Sequence, residues 1–334
     1  MTSEKKLHIG VIFGGRSGEY EVSLSSAQSV LGALRPEKYR ITEIGITQEG
    51  HWLVGRSVWD MFQKESFEKL VPAALLPIPN RGVLYTLKPD QLGEILQVFA
   101  EIDVIFPVLH GTFGEDGTLQ GLLELVDVAY VGAGVLGSSV GMDKGVFKDV
   151  MIANDIPVVE SVLILRREVE NEIGKVITQA ENLAPYPLFV KPANMGSSVG
   201  VHKCQTQEDL RLGLQDAARY DRRILIERGI DAREIELSVL GNDDPSVSVP
   251  GEICPTAEFY SYEAKYHDDS SELLIPAPVS EEQTAYLQDL ALQAYRAIDC
   301  AGMARVDFMI DKNTEAIYLN EVNTIPGFTP ISMY

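Results

Sequence analysis

Residues 187–204 read PLFVKPANMGSSVGVHKC, two apolar stretches on either side of a loop rich in glycine and serine. The pattern predicts two strands joined by that loop, with Lys191 on the first strand and Ser197 and Ser198 in the loop. A glycine-rich loop can turn several backbone N–H groups toward an anion, and the lysine adds positive charge beside them. The segment therefore indicates a phosphate site, with a flexible hairpin turn as the alternative. It does not match the P-loop pattern GxxxxGK[ST], which excludes a P-loop NTPase.

The pentapeptide GSSVG of this loop also occurs at residues 137–141. That earlier copy runs directly into a helical pattern, and no strand carrying a lysine precedes it. Its small residues predict close packing of a helix rather than a second phosphate site.

A second chemical signal lies in residues 304–327, ARVDFMIDKNTEAIYLNEVNTIPG. Two apolar stretches predict a hairpin with Asp307 on one strand and Glu321 and Asn323 on the next. Residues i and i+2 of a strand point to the same face, so Glu321 and Asn323 project together and Asp307 can meet them across the pair. Three oxygen ligands suit magnesium, and Arg305 on the face of Asp307 suits a phosphoryl group. Solvated carboxylates on an outer face are the alternative.

The first third of the chain alternates short apolar strands with amphipathic helices, which predicts an α/β fold. Strands are expected at 7–13, 39–46, 103–111 and 129–132 in a mostly parallel sheet. A helix is expected over 23–34, capped by Ser23 or a nearby hydroxyl, and another over 118–126. Several prolines predict an irregular insertion over 50–101.

The turn after the first strand, in residues 14–21, reads GGRSGEYE. A glycine turn at this place in a dinucleotide-binding fold would hold a pyrophosphate, but Glu19 and Glu21 would repel one. A turn lined with acid suits a cation. The alternative for both residues is a helix N-terminal acid, favoured by the macrodipole.

The formal net charge of −21 argues against electrostatic binding of nucleic acid or of an anionic membrane. Three scattered cysteines fit no CxxC pattern, and a reducing compartment is the simpler interpretation. The first residues read as neither a signal peptide nor a membrane span. We therefore expect a soluble, cytoplasmic protein with no nucleic-acid or membrane partner.

Taken in order, these motifs resemble the D-alanine–D-alanine ligase family of the ATP-grasp superfamily. The resemblance rests on GGRSGEYEVSL, HGTFGEDGTLQG, GMDK, VKPANMGSSVGV, YEAKY, ARVDF and NEVNTIPGFTPIS, which span residues 14–332. It implies an ATP-grasp fold with an N-terminal Rossmann-like domain over 1–132, a central subdomain over 133–228 and a C-terminal subdomain over 229–334. ATP would be held between the last two.

The resemblance also implies the substrate site. Glu19 would hold the ammonium group of a first D-alanine, with Ser197 and Tyr266 bonded to Glu19 in the closed site. His110 would lie near that substrate, with a structural histidine as the alternative. Ser332 would receive the carboxylate of the second substrate, and Gly327 belongs to the same motif.

The residues implied to bind ATP are Lys144, Lys191, Ser197, Ser198, Glu227, Arg228, Glu234, Phe259 and Lys265. The lysines and serines would contact phosphates, Glu234 the ribose, and Glu227, Arg228 and Phe259 the adenine pocket. An ordinary core phenylalanine remains the alternative for Phe259. Lys265 and Tyr266 would lie in a polar segment, 258–274, that closes over the phosphates, and Tyr266 resembles the peptide-forming type of enzyme.

The resemblance implies the chemistry as well. ATP and Mg²⁺, with Mn²⁺ possible and two ions per site, would convert a D-alanine carboxylate to an acyl phosphate. Asp307, Glu321 and Asn323 would bind the metal, and Arg305 would stabilise the acyl phosphate and the oxyanion. The product would be D-alanyl-D-alanine for peptidoglycan, made by a homodimer. The family continues past this motif with a further helix, whereas this sequence stops at Tyr334, so either the ordered part ends there or the chain is cut.

Two other functions are compatible with parts of the sequence. A nicotinamide-dependent dehydrogenase would explain residues 7–46, but it needs a ribose-binding acid where Ile46 and Thr47 stand, and it leaves Lys191 and the hairpin without a role. A non-catalytic nucleotide-binding module would use Lys191 and Glu227, but it gives no reason for Arg305 beside a metal.

Overall fold

The computed structural model describes residues 6–91, 93–196, 199–254, 272–329 and 332–334. The chain divides into two compact units. The first comprises Met1–Val135 with Ile325–Ser332 and Tyr334, and the second comprises Leu136–Thr324 with Met333. Within the described residues, no helix has both the length and the apolar character needed to cross a membrane. The division into three domains made from the sequence stays a prediction.

The first unit is built on one eight-stranded sheet. Its strands are β1 (Leu7–Gly14), β2 (Tyr39–Ile46), β3 (Trp52–Val54), β4 (Val71–Leu75), β5 (Val83–Asp90), β6 (Gly93–Glu101), β7 (Val104–Val108) and β8 (Ala129–Tyr130). Their order is β6-β5-β4-β3-β2-β1-β7-β8. Its helices are α1 (Tyr20–Ala33), α2 (Val58–Gln63) and α3 (Thr118–Val126). The pairs β2–β1, β1–β7 and β7–β8 are parallel, as the alternation of strands and helices predicts.

The expectation of an irregular insertion over 50–101 is wrong. This segment forms β3 to β6, which continue the parallel strands as an antiparallel extension of the same sheet. The prolines do not prevent this, because Pro72 and Pro89 lie next to strand ends and Pro77 and Pro79 lie in the turn between β4 and β5.

The predicted helix cap is also wrong. Helix α1 begins at Tyr20, three residues before the expected start, and Glu19 stands at the N-cap position. Ser23 lies inside the helix and is fully buried. Its hydroxyl donates to the Val108 carbonyl oxygen and accepts from the Gly14 N–H group at 2.8 Å. Ser23 thus ties the glycine turn to β7, a tertiary role that a local cap pattern cannot reveal.

The second unit contains two antiparallel sheets. The four-stranded sheet, in the order β11-β10-β12-β9, consists of β9 (Ser161–Leu165), β10 (Leu188–Pro192), β11 (His202–Cys204) and β12 (Arg223–Arg228). The six-stranded sheet consists of β13 (Ala232–Leu240), β14 (Ser246–Val247), β15 (Gly251–Cys254), β16 (Glu272–Leu274), β17 (Met303–Asp311) and β18 (Ile317–Asn323). Its order is β16-β15-β13-β17-β18, and β14 pairs with β13.

Five helices complete the described part of the second unit. They are α4 (Val135–Met142), α5 (Lys144–Ala153), α6 (Arg166–Leu183), α7 (Gln207–Tyr220) and α8 (Glu281–Ala297). Helices α6 and α7 cover the four-stranded sheet with apolar faces that include Ile177, Ala180, Leu210 and Leu214. Each large aliphatic side chain buried in this way contributes about 1.5–3 kcal/mol, which holds the strand carrying Lys191 in place.

The early GSSVG copy lies within α4, where Gly137 and Ser138 are buried. A Cβ atom on Gly141 would lie 3.2 Å from Thr324 Cγ2 and 3.3 Å from the Val322 carbonyl oxygen. The prediction of close helix packing for residues 137–141 is therefore confirmed.

Candidate active site

In the first unit, the acid-lined turn brings Glu19 against Gly111. Gly14 and Gly15 adopt φ angles of +89° and +106°, and the Gly15 N–H group donates to the Ile46 carbonyl oxygen at 2.8 Å. A Cβ atom on Gly111 would lie 2.4 Å from Glu19 Oε2, so a larger residue would displace this carboxylate, and the φ angle of +73° at Gly111 also favours glycine. Glu19 is 9% exposed, and its side chain accepts no hydrogen bond from the first turn of α1.

The two glutamates of the turn therefore differ. Glu21 is exposed in the first turn of α1, as expected of an acid that interacts with the helix dipole. Glu19 stands at the N-cap but points its carboxylate toward the loop after β7 instead. This geometry favours a binding role for Glu19 over a capping role.

His110 fastens the segment that contains Gly327. Its Nδ1 atom lies 3.0 Å from the Ile325 carbonyl oxygen, and its Nε2 atom lies 3.1 Å from Ser26 Oγ. Since a carbonyl only accepts, Nδ1 carries the proton and Nε2 accepts from Ser26. Ser26 Oγ in turn accepts from the Phe328 N–H group at 3.0 Å. Gly327 lies between these two anchor points.

Glu115 is a further anchor, and it was not predicted from the sequence. One carboxylate oxygen accepts from the Gly111 N–H group at 2.6 Å, and the other accepts from the Ile325 N–H group at 3.3 Å. Glu115 lies in the turn GEDG, and the acidic composition of this turn is the feature of the sequence that could have pointed to it. Ser332 belongs to the same unit, and its backbone N–H group donates to the Thr329 carbonyl oxygen at 2.9 Å. Four predicted substrate residues, Glu19, His110, Gly327 and Ser332, thus share one compact unit.

In the second unit, Glu227 lies between two lysines. One oxygen pairs with Lys148 Nζ at 2.6 Å, and the other pairs with Lys191 Nζ. Burial alone would raise the pKa of Glu227, but the charges of Lys191 and Lys148 lower it to about 2. The predicted lysine Lys191 is 17% exposed in its side chain, whereas Lys148 and Glu227 are 4% exposed.

Lys148 is a second residue whose role was not predicted from the sequence. It lies four residues after Lys144 on α5, so the spacing KGVFK places both lysines on one helix face. Its ammonium group also donates to the Val159 carbonyl oxygen at 2.8 Å. The Lys191 ammonium group is stabilised further: although burial lowers its pKa, the carboxylates of Glu227, Glu321 and Glu234 raise it above the ordinary value.

Lys144 lies at the start of α5, beside the glycine- and serine-rich loop. Its Nζ atom donates to the Met195 carbonyl oxygen at 2.6 Å. Asp143 caps the helix by accepting from the N–H groups of Gly145 and Val146. The other Asp143 oxygen accepts from Asn194 Nδ2 at 2.8 Å, which fixes the start of the loop. Ser197 and Ser198 lie outside the described residues.

The last hairpin has the predicted pairing. Asp307 stands opposite Glu321, and Arg305 stands opposite Asn323, with a bulge after Asp307. Arg305 Nε and Nη2 donate to the two Asp307 oxygens at 2.8 and 2.6 Å, and Asn323 Nδ2 donates to Asp307 Oδ2 at 3.0 Å. Asn323 therefore meets Asp307 across the hairpin as predicted, and Glu321 stands at the position paired with Asp307.

A third carboxylate on this face, Glu236, was not expected. It stands opposite Asp307 on β13, and its Oε2 atom lies 3.1 Å from Arg305 Nε. Burial opposes the charge of Arg305, but Asp307 and Glu236 raise the pKa of its guanidinium well above the ordinary value. The signal in the sequence was the pair Glu234 and Glu236, two residues apart on one strand.

No group of three or more His, Cys, Asp or Glu side chains among the described residues is arranged to hold a metal ion. Both oxygens of Asp307 accept hydrogen bonds from Arg305. To bind a metal ion, the Asp307 carboxylate must therefore interact with Arg305 and the ion at the same time. The set of donors is nevertheless made of oxygen atoms, and Asp307 and Glu321 occupy paired positions of a rigid hairpin, which suits magnesium.

The remaining predicted ATP residues lie on the neighbouring strands. Arg228 Nε donates to Glu160 Oε2 at 2.8 Å, and Arg228 Nη2 lies 3.2 Å from the Tyr318 hydroxyl group. Glu234 lies on β13, opposite Met309 of β17. Phe259, Lys265 and Tyr266 lie outside the described residues. Taken together, the second unit offers lysines for an anion and carboxylates for a metal, whereas the first unit offers a buried carboxylate for a cation.

The chain is similar along almost its full length to known proteins. The family model described as D-ala D-ala ligase N-terminus matches residues 8–133, and the model described as D-ala D-ala ligase C-terminus matches residues 150–334. A D-alanine–D-alanine ligase of Thermoanaerobacter sp. (strain X514) is 50% identical over 99% of this chain and 90% of the relative. The enzyme of that name in Natranaerobius thermophilus is 46% identical over 99% of this chain and 89% of the relative.

Two solved structures are also similar. The VanG D-Ala:D-Ser ligase from Enterococcus faecalis superposes with a TM-score of 0.85 at 34% identity, covering 99% of this chain and 93% of the other. The D-alanine-D-alanine ligase from Coxiella burnetii superposes with a TM-score of 0.79 at 35% identity, covering 98% of this chain and 87% of the other.

Proposed function

Because the chain belongs to the D-alanine–D-alanine ligase family, we propose that it joins two D-alanine molecules to D-alanyl-D-alanine while ATP becomes ADP and phosphate. The observation that carries this proposal is the face of the β17–β18 hairpin, where Arg305 lies beside Asp307, Glu321 and Asn323. Hydride transfer by a dehydrogenase would not require these four residues. A non-catalytic nucleotide-binding module would not require an arginine beside the proposed metal ligands.

The first step transfers a phosphoryl group. A carboxylate oxygen of the first D-alanine attacks the γ-phosphorus of ATP, the bond to the β–γ bridging oxygen breaks, and ADP leaves. We assign the cations Lys144 and Lys191 to the phosphates, together with the loop that contains Ser197 and Ser198. Such a step depends mainly on positioning and charge neutralisation, which two lysines and an anion-binding loop supply.

We assign the divalent metal to Asp307, Glu321 and Asn323, with Mg²⁺ or Mn²⁺ as the ion and two ions per site. When bound, the metal neutralises charge on the phosphate oxygens. The oxygen donors of these side chains and the paired register of Asp307 and Glu321 support the assignment. Arg305, which binds Asp307 through both oxygens, keeps that carboxylate in a fixed orientation before the metal arrives.

The second step forms the peptide bond. The uncharged amine of the second D-alanine attacks the carbonyl carbon of the acyl phosphate, the attacking nitrogen gives up one proton, and inorganic phosphate leaves as the tetrahedral intermediate collapses. We assign Arg305 to the oxyanion of that intermediate. Its guanidinium stays charged beside Asp307 and Glu236, so the positive charge is present before the negative charge develops.

We assign the first D-alanine to the first unit, with its ammonium group on Glu19. The burial of Glu19 and the approach of its carboxylate to Gly111 support this assignment, since a buried carboxylate suits a cationic ligand. His110, Gly327 and Ser332 complete the substrate residues. Ser197 and Tyr266 are assigned to hydrogen bonds with Glu19 when the site closes.

We assign the remaining ATP residues to the separate parts of the nucleotide. Glu227, Arg228 and Phe259 are assigned to the adenine pocket, Glu234 to the ribose and Lys265 to the phosphates.

We further propose a cytoplasmic homodimer that uses the outer edge of β6. In the described sheet β6 is an edge strand, and Ile95, Leu96, Val98 and Phe99 are 40–53% exposed there. A long apolar edge strand is a ready site for pairing with another chain.

The test is release of phosphate by the purified protein with ATP, magnesium and D-alanine, together with identification of the dipeptide by mass spectrometry. D-Serine and D-lactate, each competed against D-alanine, define the second substrate, because one similar structure is that of a D-Ala:D-Ser ligase. Phosphate release that does not depend on D-alanine, or the absence of dipeptide, would contradict the proposed reaction.

A further inference from the structure

Lys148 is a buried cation to which the proposed reaction gives no role. Its side chain is only 4% exposed, and its ammonium group has two fixed partners, Glu227 Oε1 at 2.6 Å and the Val159 carbonyl oxygen at 2.8 Å. Glu227 binds Lys148 and Lys191 through different oxygens. The three side chains therefore form one chain of contacts that ends at the more exposed lysine.

The charges of Lys148, Glu227 and Lys191 explain what a second lysine contributes to anion binding. Glu227 alone would neutralise Lys191, and Glu321 and Glu234 add further negative potential at the same ammonium group. With Lys148 included, two cations share one carboxylate, and the group of three has a net charge of +1. Lys191 is thereby left with positive charge to offer an anion.

The geometry also separates the two lysines by function. Lys191 retains 17% exposure and lies on β10, the strand that precedes the glycine- and serine-rich loop. Lys148 lies on α5, and its partners leave its ammonium group directed into the protein. Direct contact of Lys148 with a ligand is not needed for its charge to be felt, because electrostatic interactions are strong at short range in a buried environment.

We propose that Lys148 is a positioning residue for the nucleotide phosphates: it binds one oxygen of Glu227, leaves the other oxygen to orient Lys191, and compensates the carboxylate charge so that Lys191 remains an anion-binding cation. The inference rests on the proposed function, in which Lys191 binds ATP phosphates. It assigns to Lys148 a larger effect on phosphate affinity than on recognition of the nucleoside, to which Glu227 is also assigned.

The experiment compares MgADP with adenosine, a probe that lacks phosphate, by calorimetry on the full chain. For Lys148→Met we expect MgADP affinity to fall by about ten- to a hundredfold, as for the loss of one charge near a charged contact, with a much smaller change in adenosine affinity. Lys148→Arg should retain most of the MgADP affinity. Lys175→Met is the matched control, because Lys175 is an exposed lysine of α6 paired with Glu172 at 3.0 Å.

A double-mutant cycle with Glu227→Gln tests the route of the effect. If Lys148 acts by compensating the Glu227 carboxylate, then the double variant, in which the group again has a net charge of +1, should keep about the wild-type ratio of MgADP affinity to adenosine affinity. This comparison also remains informative if Lys148→Met alone fails to fold, because the double variant contains no unpaired buried carboxylate. A double variant whose ratio of MgADP affinity to adenosine affinity is about tenfold or more below that of wild type would overturn the inference.

The other outcomes are equally decisive. Equal weakening of MgADP and adenosine by Lys148→Met, or a lowered melting temperature with unchanged MgADP affinity, would assign Lys148 to the fold alone and overturn the inference. Wild-type protein that binds no MgADP would instead overturn the proposed function, and the inference with it.

Discussion

Arg305 donates to both carboxylate oxygens of Asp307, at 2.8 and 2.6 Å, although the two residues are only two positions apart on β17. Such a bidentate pair orients the carboxylate, and the guanidinium gains a fixed direction in return. Asp307→Asn should therefore abolish dipeptide synthesis in a folded protein, because the amide keeps the shape but loses the charge proposed to bind metal. Activity and a melting curve should be measured together.

Glu315→Gln is the matched control for this substitution, since Glu315 is an exposed carboxylate of the same hairpin. It should behave like wild type. Turnover of Asp307→Asn at the wild-type rate and ordinary magnesium concentration would remove Asp307 from the metal site.

Glu19→Gln should weaken binding of the first D-alanine far more than binding of ATP. A hydrogen bond to a charged partner contributes about 1.5–3 kcal/mol, so the apparent KM for the first D-alanine should rise by about ten- to a hundredfold. The KM for ATP should be unchanged, because the proposed ATP residues lie elsewhere in the sequence. Steady-state kinetics with each substrate varied in turn provides the measurement.

Glu21→Gln serves as the control, because Glu21 is an exposed acid of the same turn. It should lower stability by no more than about 0.3–1 kcal/mol and leave both KM values alone. If Glu19→Gln behaves in the same way, Glu19 has only a structural role.

Ser26→Ala should destabilise the segment that contains Gly327. The change removes the acceptor of the Phe328 N–H group and the partner of His110 Nε2. Leaving buried polar groups unsatisfied costs about 1–3 kcal/mol, so we expect the free energy of unfolding to fall by this amount. Urea unfolding of wild type and variant provides the measurement. Ser29→Ala, at an exposed position of the same helix, should cost much less. Equal stability of the two variants would show that His110 does not depend on Ser26.

Glu227 should make stability depend on pH in acid. Its pKa is about 2 in the folded protein, against an ordinary value of 4.5, so its contribution is complete above about pH 4.5 and is lost as the pH falls toward 2. The difference in unfolding free energy between wild type and Glu227→Gln should be of the order of 3 kcal/mol near neutral pH and should shrink through this window. A difference that stays constant from pH 6 to the acid limit of folding would contradict the lowered pKa.

Val98→Lys should disrupt the proposed dimer. Val98 is 53% exposed on the edge strand β6, and a charge there opposes pairing with a second apolar edge. Sedimentation velocity at several protein concentrations should give a dimer for wild type and a monomer for the variant, with Leu125→Lys, at an exposed position of α3, as the control. A wild-type monomer throughout would contradict the assembly.

The parts of the fold that the sequence predicts well are those with a regular apolar pattern. Alternation predicts that Asp307 can meet Glu321 and Asn323 across β17 and β18, and the observed register places Asp307 opposite Glu321. The bulge after Asp307 does not follow from the alternation. The strands of 50–101 were missed because prolines at strand ends and in a turn give the same local signal as an irregular loop. Here pairing with β2 decides the structure, and local propensity does not.

The missed site residues have a common cause. Lys148, Glu236 and Glu115 act through partners that are distant in sequence: Glu227, Arg305 and Ile325. A charged residue on a helix or strand is usually solvated, so its own neighbours in the sequence carry no sign that a counter-charge will be buried beside it. Only the tertiary structure identifies these residues.

The return of Ile325–Ser332 to the first unit has a consequence for how the protein is made. His110 and its partner Ile325 are 215 residues apart, and at about 5–20 residues per second a ribosome needs about 10–40 s to cover that distance. During this interval the nascent first unit lacks the backbone groups that His110 and Glu115 bind. The proposed amino-acid site is therefore completed late in translation, after the chain of the nucleotide-binding unit has been synthesised.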